Sequence, residues 1–516
     1  MKFSYTASMR CAATILAASA IYFASPLFSE TAVAESEFRA RDTILDGLTL
    51  EPIAFNPPPV AETELTGGAH LFTAADDTLP YVTLSFYFLG GTQAESLHPE
   101  NTSDAGGPGS LQAALELMET GGAGARSGEE VAELLAGLGA KLEFQSEYEF
   151  WSAKLTILKK DFPKGLELLE DTLLRPRLPA ERLQIIQHGM LAALDRRNDD
   201  PASIAARKMN EVLFAGYRRG YSLQPEDVRA LSVPAIRGEL NRRLRPGGLF
   251  VGASGDVAGL NLETRLNRLI EQFPSVNRTV PIERETISET SDPAFLKRIA
   301  SLRGRILLVD KPAAQSVINI AGFLPARNHP DMYALQTGNY ILGGGSFNSR
   351  LTREIRVRRG LAYYAYSYND FDTTIGRFVA GSGTRSFLAH KTLQLMLETI
   401  GGMQTNVATT DLSLARDAIL NSLAFQFDSP EDAVFQAFRN RMQKMPENYL
   451  QNFPPKIRAL GAGDLSAVAR KYLRPEDLFI VVAGPADLKS KLEEVRPVIV
   501  IAPEGRIADI TVAARP

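Results

Sequence analysis

The chain has 516 residues, 45% of them apolar, and a formal charge of −4 at neutral pH. That balance fits a multidomain globular protein of three or four units and excludes the basic footprint of a nucleic-acid binder. Its single cysteine, Cys11, lies among the first 34 residues, so the remainder can build neither a disulfide nor a thiolate metal site.

Residues 1–34 read as a secretory signal peptide. Lys2 and Arg10 give a positive start, Cys11 to Phe28 is mostly apolar, and Ala32-Val33-Ala34 is a small-x-small cleavage site before Glu35. The apolar run is short and is broken by Ser and Pro, unlike a membrane anchor. No lipid-attachment box surrounds a cysteine at the cleavage point. Cleavage would leave 54 basic and 59 acidic residues, net −5. The expectation is a periplasmic or secreted protein with no membrane span in the mature chain.

Residues 35–64 are polar and proline-rich (Pro57, Pro58, Pro59) and read as a lead-in. Tyr81 to Gly90 alternates like a strand. Asn101 to Ser110 is a glycine-rich loop. Leu111 to Thr120 predicts a helix with Leu111, Leu115 and Met118 on one face, stopped by Gly121 and Gly122. Ser127 caps a helix over Gly128 to Gly137, with Glu129 and Glu130 in its first turn, where the helix dipole favours them. Lys141 to Lys159 alternates as two strands, with Glu147 and Glu149 flanking Tyr148 on a solvated side. Phe162 to Leu174 and Pro179 to Asp195 form a helical pair. Asp199-Asp200-Pro201 stops one helix and caps the next, Ala202 to Leu213.

An internal echo follows. Leu244-Arg245-Pro246-Gly247-Gly248-Leu249-Phe250-Val251 recurs 229 residues later as Leu473-Arg474-Pro475-Glu476-Asp477-Leu478-Phe479-Ile480. Each copy reads as a helix exit followed by a buried strand. Tyr81 to Gly90 answers Ser316 to Phe323, and the helix with its glycine stop at Met118 to Gly122 answers Ile341 to Gly345. Three matches in order predict an α+β protein made of two copies of one domain, 65–265 and 300–488. The joining linker is 266–299, polar around Pro274 to Pro293, and the tail is 489–516.

The most informative stretch is Gln336 to Phe371. It reads as a helix end, a glycine turn at Gly343, Gly344 and Gly345 needing left-handed dihedrals, a second helix and a strand. Ser346 or Asn348 is placed to cap the second helix, Leu351 and Ile355 share one face, and Gly360 stops it. Five arginines fall within Arg350 to Arg359; on charge alone they form a solvated basic face. The wording ILGGGSFNSRL followed by RxxRGLAY, with Val309 to Leu335 upstream, resembles the C-terminal domain of the insulinase/pitrilysin zinc metallopeptidases. That family includes the mitochondrial processing peptidase and its bacterial relatives. The resemblance implies two homologous α/β-sandwich domains that form a clamshell with a partner chain. It also implies that Arg356 and Tyr363 match an Arg–Tyr pair holding the substrate peptide's backbone.

Catalytic members of that family carry H-x-x-E-H on a helix of the first domain, with a further Glu downstream. The five histidines here are His70, His98, His188, His329 and His390, and no two lie within 25 residues of each other. Aligned on Gly109 and Gly121, the motif positions become Gln112, Leu115 and Glu116, and the downstream ligand falls at Ala192-Ala193. Leucine cannot act as a base and alanine cannot ligate. A site rebuilt from Glu116, Glu119 and His188 is the alternative. No Ser sits in a G-x-S-x-G elbow; Gly252-Ala253-Ser254-Gly255 reads as turn chemistry, and Gly343 to Gly345 is not a phosphate loop, lacking the Lys-Ser/Thr that would follow.

The resemblance therefore implies a non-catalytic, substrate-binding subunit of a periplasmic heterodimeric zinc peptidase. Such a chain is not expected to be an enzyme by itself. It would hold no cofactor, zinc being expected in a partner that carries H-x-x-E-H, and its ligand would be a peptide. Two alternatives stay open: a stand-alone peptide-binding or scaffold pseudopeptidase, and an active metallopeptidase with an atypical site.

Overall fold

The computed structural model describes residues 56–96, 106–215, 217–274, 297, 300–505 and 507. The stretch read as a signal peptide, most of the lead-in, His98, half of the glycine-rich loop, most of the linker and the end of the tail lie outside these residues.

The first half contains strands β1 (Ala61–Leu65), β2 (Ala69–Ala75), β3 (Tyr81–Leu89), the short β4 (Gly122–Ala123) and β5 (Arg126–Ser127), β6 (Lys141–Ser146), β7 (Phe150–Leu158) and β8 (Leu249–Gly255). Its helices are α1 (Ser110–Thr120), α2 (Gly128–Leu138), α3 (Phe162–Leu174), α4 (Ala180–Asp195), α5 (Pro201–Leu213), α6 (Pro225–Ala230), α7 (Val233–Arg243) and α8 (Leu262–Ile270). The second half contains β9 (Ile306–Asp310), β10 (Gln315–Leu324), β11 (Ala362–Phe371), β12 (Gly376–Arg385), β13 (Phe479–Gly484) and β14 (Val498–Ile501). Its helices are α9 (Met332–Asn339), α10 (Ala389–Gly402), α11 (Thr409–Leu423), α12 (Pro430–Met442), α13 (Tyr449–Ala459), α14 (Ala462–Tyr472) and α15 (Lys489–Glu493).

Two six-stranded sheets result, ordered β1-β2-β8-β3-β7-β6 and β11-β12-β10-β13-β9-β14. Read from opposite ends they match: β6-β7-β3-β8-β2 answers β11-β12-β10-β13-β9. The central pairings agree too, β3 lying antiparallel to β7 and β8 as β10 does to β12 and β13. The repeated wording at 244–251 and 473–480 runs into β8 and β13, equivalent strands. The copies part at one edge, where β1 arrives antiparallel from before β2 and β14 arrives parallel from the C-terminal side.

Local chemistry explains the elements. Ser127 and Glu130 form a capping box at α2: the Glu130 N–H donates to the Ser127 hydroxyl and the Ser127 N–H to the Glu130 carboxylate. Asp200 caps α5 by accepting from the Ser203 N–H at 2.8 Å. Several boundaries differ from the sequence reading. β1 begins inside the lead-in, and α8 and Phe273 join the first core from inside the linker. The tail supplies β14 and buried Ile507. Glu147 and Glu149 sit in the β6–β7 hairpin turn rather than on a strand; Glu147 is exposed as expected, and Glu149 instead accepts from the Thr373 N–H at 2.9 Å.

One face of each sheet is covered by helices of its own half. The reverse face is covered by a helix from the other half. From α5, Ile204, Met209 and Leu213 pack on Val309, Ala321 and Val481 of the second sheet. From α12, Val434, Phe438 and Met442 pack on Phe72, Tyr87 and Phe250 of the first. The Phe438 ring lies 4.2 Å from that of Tyr87 at 6° and 5.1 Å from that of Phe150 at 81°. Gly252 of β8 admits this helix, because a Cβ there would stand 2.3 Å from Val434 Cγ1. Polar ties reinforce the exchange: Arg219 pairs with Asp370 at 3.0 Å and with Asp372, its guanidinium set between the rings of Tyr148 and Phe214.

Phe438→Ala removes a fully buried ring from this junction, and the expected loss is about 3–5 kcal/mol in denaturant unfolding. Asp200→Ala is expected to cost about 1 kcal/mol in the same assay. An unchanged midpoint for Phe438→Ala would show that the exchanged helix contributes nothing to stability.

Candidate functional site

The segment singled out by the sequence folds against β11. α9 continues into a wide π-helical turn over Tyr340–Gly344, a short 3-10 turn at Ser346–Asn348, and a helix that turns π-helical over Thr352–Arg358. Such wide turns recur at functional sites. Ile341, Leu342, Leu351 and Ile355 are buried and fix the segment to the second core.

The expected left-handed glycines are not left-handed: Gly343, Gly344 and Gly345 have negative φ, and Ser346 takes the positive value, +52°. Gly343 is required for a different reason. A Cβ there would stand 2.2 Å from the Ser367 nitrogen, so its absence lets the turn lie directly on β11. Neither Ser346 nor Asn348 caps the next helix; Ser349 stands before it and donates its hydroxyl to the Ser346 carbonyl at 2.7 Å. Gly360 does stop it, with φ +59°.

Four of the five arginines divide by partner. Arg350 pairs with Asp411 at 3.0 Å, Arg353 reaches the same carboxylate at 3.8 Å, and Arg358 pairs with Glu354 at 2.5 Å. Arg356 instead lies between two rings, its guanidinium carbon 4.8 Å from the Phe347 centroid and 5.3 Å from that of Tyr363. Among the described residues it has no carboxylate partner. Stacking of this kind orients a guanidinium while leaving its N–H groups to a ligand, and contributes about 0.5–1 kcal/mol at an exposed site.

Tyr363 owes its direction to a register shift between Ala362 and Tyr364. Ala362 and Ala365 both enter the second core although they are three apart, which strict alternation forbids. The extra residue is a β-bulge, and it turns Tyr363 and Tyr364 together toward the opposite face. Tyr363 is 71% exposed. The structure thus brings Arg356 and Tyr363 together. Phe347, the second wall of the arginine's slot, was missed in the sequence; the signal was a lone aromatic in an otherwise small and polar turn.

The zinc-motif positions meet a different fate. Gln112 and Ala193 are exposed, Glu116 is half-buried, and Leu115 is 4% exposed within the first core. Glu119 lies on the open side of α1. Burial pushes the Glu116 carboxyl above the usual range, with Arg182 opposing. Burial also raises Glu119, and the charges of Glu116 and Glu143 add to it. This corner of α1 and β6 therefore concentrates negative charge without a ligand set. Among the described residues no three His, Cys, Asp or Glu side chains group so as to hold a metal ion, and His188 is exposed on α4. Of the four motif positions only Glu116 could ligate, and one carboxylate beside an exposed amide, a core leucine and an alanine does not fit zinc. Ser254, read as turn chemistry, is buried inside β8.

Comparison with known proteins gives a family model and several relatives. Residues 240–419 match the family model described as the peptidase M16 inactive domain. An uncharacterized zinc protease of Streptomyces coelicolor is 23% identical over 439 residues, covering 84% of this chain and 90% of the relative. A Helicobacter pylori protein described as a non-peptidase homolog is 20% identical, covering 68% and 79%. The crystal structure of a peptidase M16 inactive domain from Pseudomonas fluorescens superposes with a TM-score of 0.71 at 21% identity, covering 83% of this chain and 98% of that one.

The acidic corner yields a pH prediction. The Glu119 value is raised on folding, so native stability is greatest below the unfolded value and is lost as pH rises through the raised one. Glu119→Gln should raise the thermal midpoint at pH 7 and leave it unchanged near pH 3.5. Because the side chain reaches water, the gain at pH 7 is only about 0.3 kcal/mol.

Proposed function

The chain is a homologue of the insulinase/pitrilysin (M16) peptidases, and on that premise we propose that it is the non-catalytic, peptide-holding subunit of an exported two-chain zinc peptidase. The observation that carries this reading is an asymmetry between its two halves. In the first half, the positions that would hold zinc and the base are occupied by an exposed amide (Gln112), a core leucine (Leu115), a lone carboxylate (Glu116) and an alanine (Ala193). In the second, Arg356 and Tyr363 are both present and adjacent, the arginine half-buried and the tyrosine exposed.

The division of labour follows from chemistry. Zinc and the general base come from a partner chain carrying H-x-x-E-H, which activates the attacking water. This chain contributes position. The Arg356 guanidinium offers parallel N–H donors and the Tyr363 phenol one O–H, and together they hold a peptide carbonyl at a defined point. A carbonyl so held also has its developing negative charge stabilised in the transition state. The stacking of Arg356 between Phe347 and Tyr363 prepays the ordering of a long side chain, which otherwise costs up to about 2 kcal/mol. Export rests on the signal-like start of the sequence; among the described residues no helix is long and apolar enough to cross a membrane.

The test is co-expression with a family member carrying H-x-x-E-H, scored by peptide hydrolysis. Activity is expected only with both chains present. Arg356→Ala is expected to lower kcat/KM by about 10²-fold, as for removal of one oxyanion donor, and Tyr363→Phe by about tenfold, as for one hydrogen bond. Unchanged rates for both variants would remove the pair from the mechanism. Zinc-dependent hydrolysis by the chain alone would replace the reading with an active peptidase of atypical site.

A further inference from the structure

β11 carries three more tyrosines that the Arg356–Tyr363 pair does not use. Tyr364, Tyr366 and Tyr368 share one face of the strand. Successive ring centroids lie 5.9 and 6.1 Å apart, inclined by 24° and 15°. The three rings make a row of about 13 Å at the rise of an extended strand, and the bulge places Tyr363 on this same face at the head of it. The rings lean across β12 onto glycines: a Cβ on Gly383 or Gly381 would come within 2.6 Å of the Tyr364 or Tyr366 ring.

The row is half sunk and half open. The three tyrosines are 36%, 39% and 41% exposed. Burial raises the phenol of each, that of Tyr366 to about 12, so all three stay neutral donors at physiological pH. Among the described residues, the charged groups that bear on these phenols stand at the ends of the row. Asp200 lies near Tyr364 but is committed to capping α5. Asp370, Arg377 and Arg219 lie near Tyr368 and pair with one another at 2.9–3.0 Å.

Comparison of the four outer strands isolates the feature. β1 carries Glu62 and Glu64, β6 carries Lys141 and Glu143, and β14 is four residues long. Those are ordinary protections against unwanted pairing. β11 is ten residues long and uncharged until Asp370, with aromatic side chains at alternate positions. An open aromatic row of this size is a liability unless something covers it.

Its period identifies the occupant. Alternate side chains of an extended peptide repeat at about 6.6 Å, close to the ring spacing here, and the row starts at the Arg356–Tyr363 pair. The carbonyls of Ala365 and Ser367 already accept from Thr352 at 2.8 Å and from Asn339 at 3.4 Å, so the attraction lies on the tyrosine face rather than in extending the sheet. We propose that Tyr364, Tyr366 and Tyr368 form a specificity track that takes alternate aromatic or bulky apolar side chains of an extended peptide anchored at Arg356 and Tyr363. The inference rests on the peptide-holding reading and adds to it a substrate class.

Fluorescence anisotropy with the full chain tests it, using two labelled decapeptides identical except that one has Phe and the other Ser at three alternate positions. The wild type is expected to prefer the Phe probe by about tenfold or more. The triple variant Tyr364→Ser, Tyr366→Ser, Tyr368→Ser should bind both probes equally. Tyr366→Phe keeps the ring and should keep the preference, and a thermal melt of each variant checks folding. Gly381→Val displaces the Tyr366 ring from the neighbouring strand and should weaken the preference with every tyrosine intact. Equal binding of the two probes by the wild type, abolished by Arg356→Ala, overturns the track and leaves the anchor standing. A preference that survives the triple substitution also overturns the track, as does a self-association lost with it, which would assign the row to a second copy. Binding of neither probe overturns track and anchor together.

Discussion

Each sheet in this protein depends on a helix that belongs to the other half. The exposed face of a six-stranded sheet is a large apolar area, and burying it drives folding at about 25 cal/mol per Å². Here α5 covers the second sheet and α12 covers the first. Neither half can complete its core alone, so duplication has produced one cooperative body rather than two domains on a tether. Arg219 shows the same logic in polar form, its charge shared between Asp370 and Asp372 of the other half while its flat faces meet Tyr148 and Phe214.

That rigid frame explains how a site can be built from an irregular segment. Residues 340–363 pass through two π-helical turns, one left-handed serine and a bulge. Each departs from the lowest-energy local geometry and persists because the buried residues around it, Ile341, Leu342, Leu351 and Ile355, allow no alternative. The product is a guanidinium held between two rings at the margin of a strand whose tyrosines all face one way.

Much of this was legible in one dimension. The duplication was visible because Leu-Arg-Pro precedes an apolar strand twice, and both strands sit at equivalent places. Helices α1 to α5 followed from apolar spacing and from caps such as Ser127 and Asp200. What misled were features whose cause is distant in sequence. Gly343 was read as a turn former, but its smallness answers Ser367, 24 residues later. Glu149 was assigned to solvent because the second half, whose Thr373 N–H it meets, was out of view. The tyrosine row was visible as letters, yet only the bulge puts Tyr363 and Tyr364 on one side, and bulges leave no periodic trace. The absence of paired histidines needed no structure.

The burial of Leu115 bears on how such a chain could change again. At the position the resemblance gives to a catalytic carboxylate, the side chain has become part of the packing between α1 and the first sheet. Restoring an acid there would place an ionisable group among hydrocarbons, at a cost of several kcal/mol unless its surroundings were rebuilt. In the supporting role proposed above, this packing would itself oppose a return to catalysis, because the hydrocarbon around Leu115 has no place for a charge.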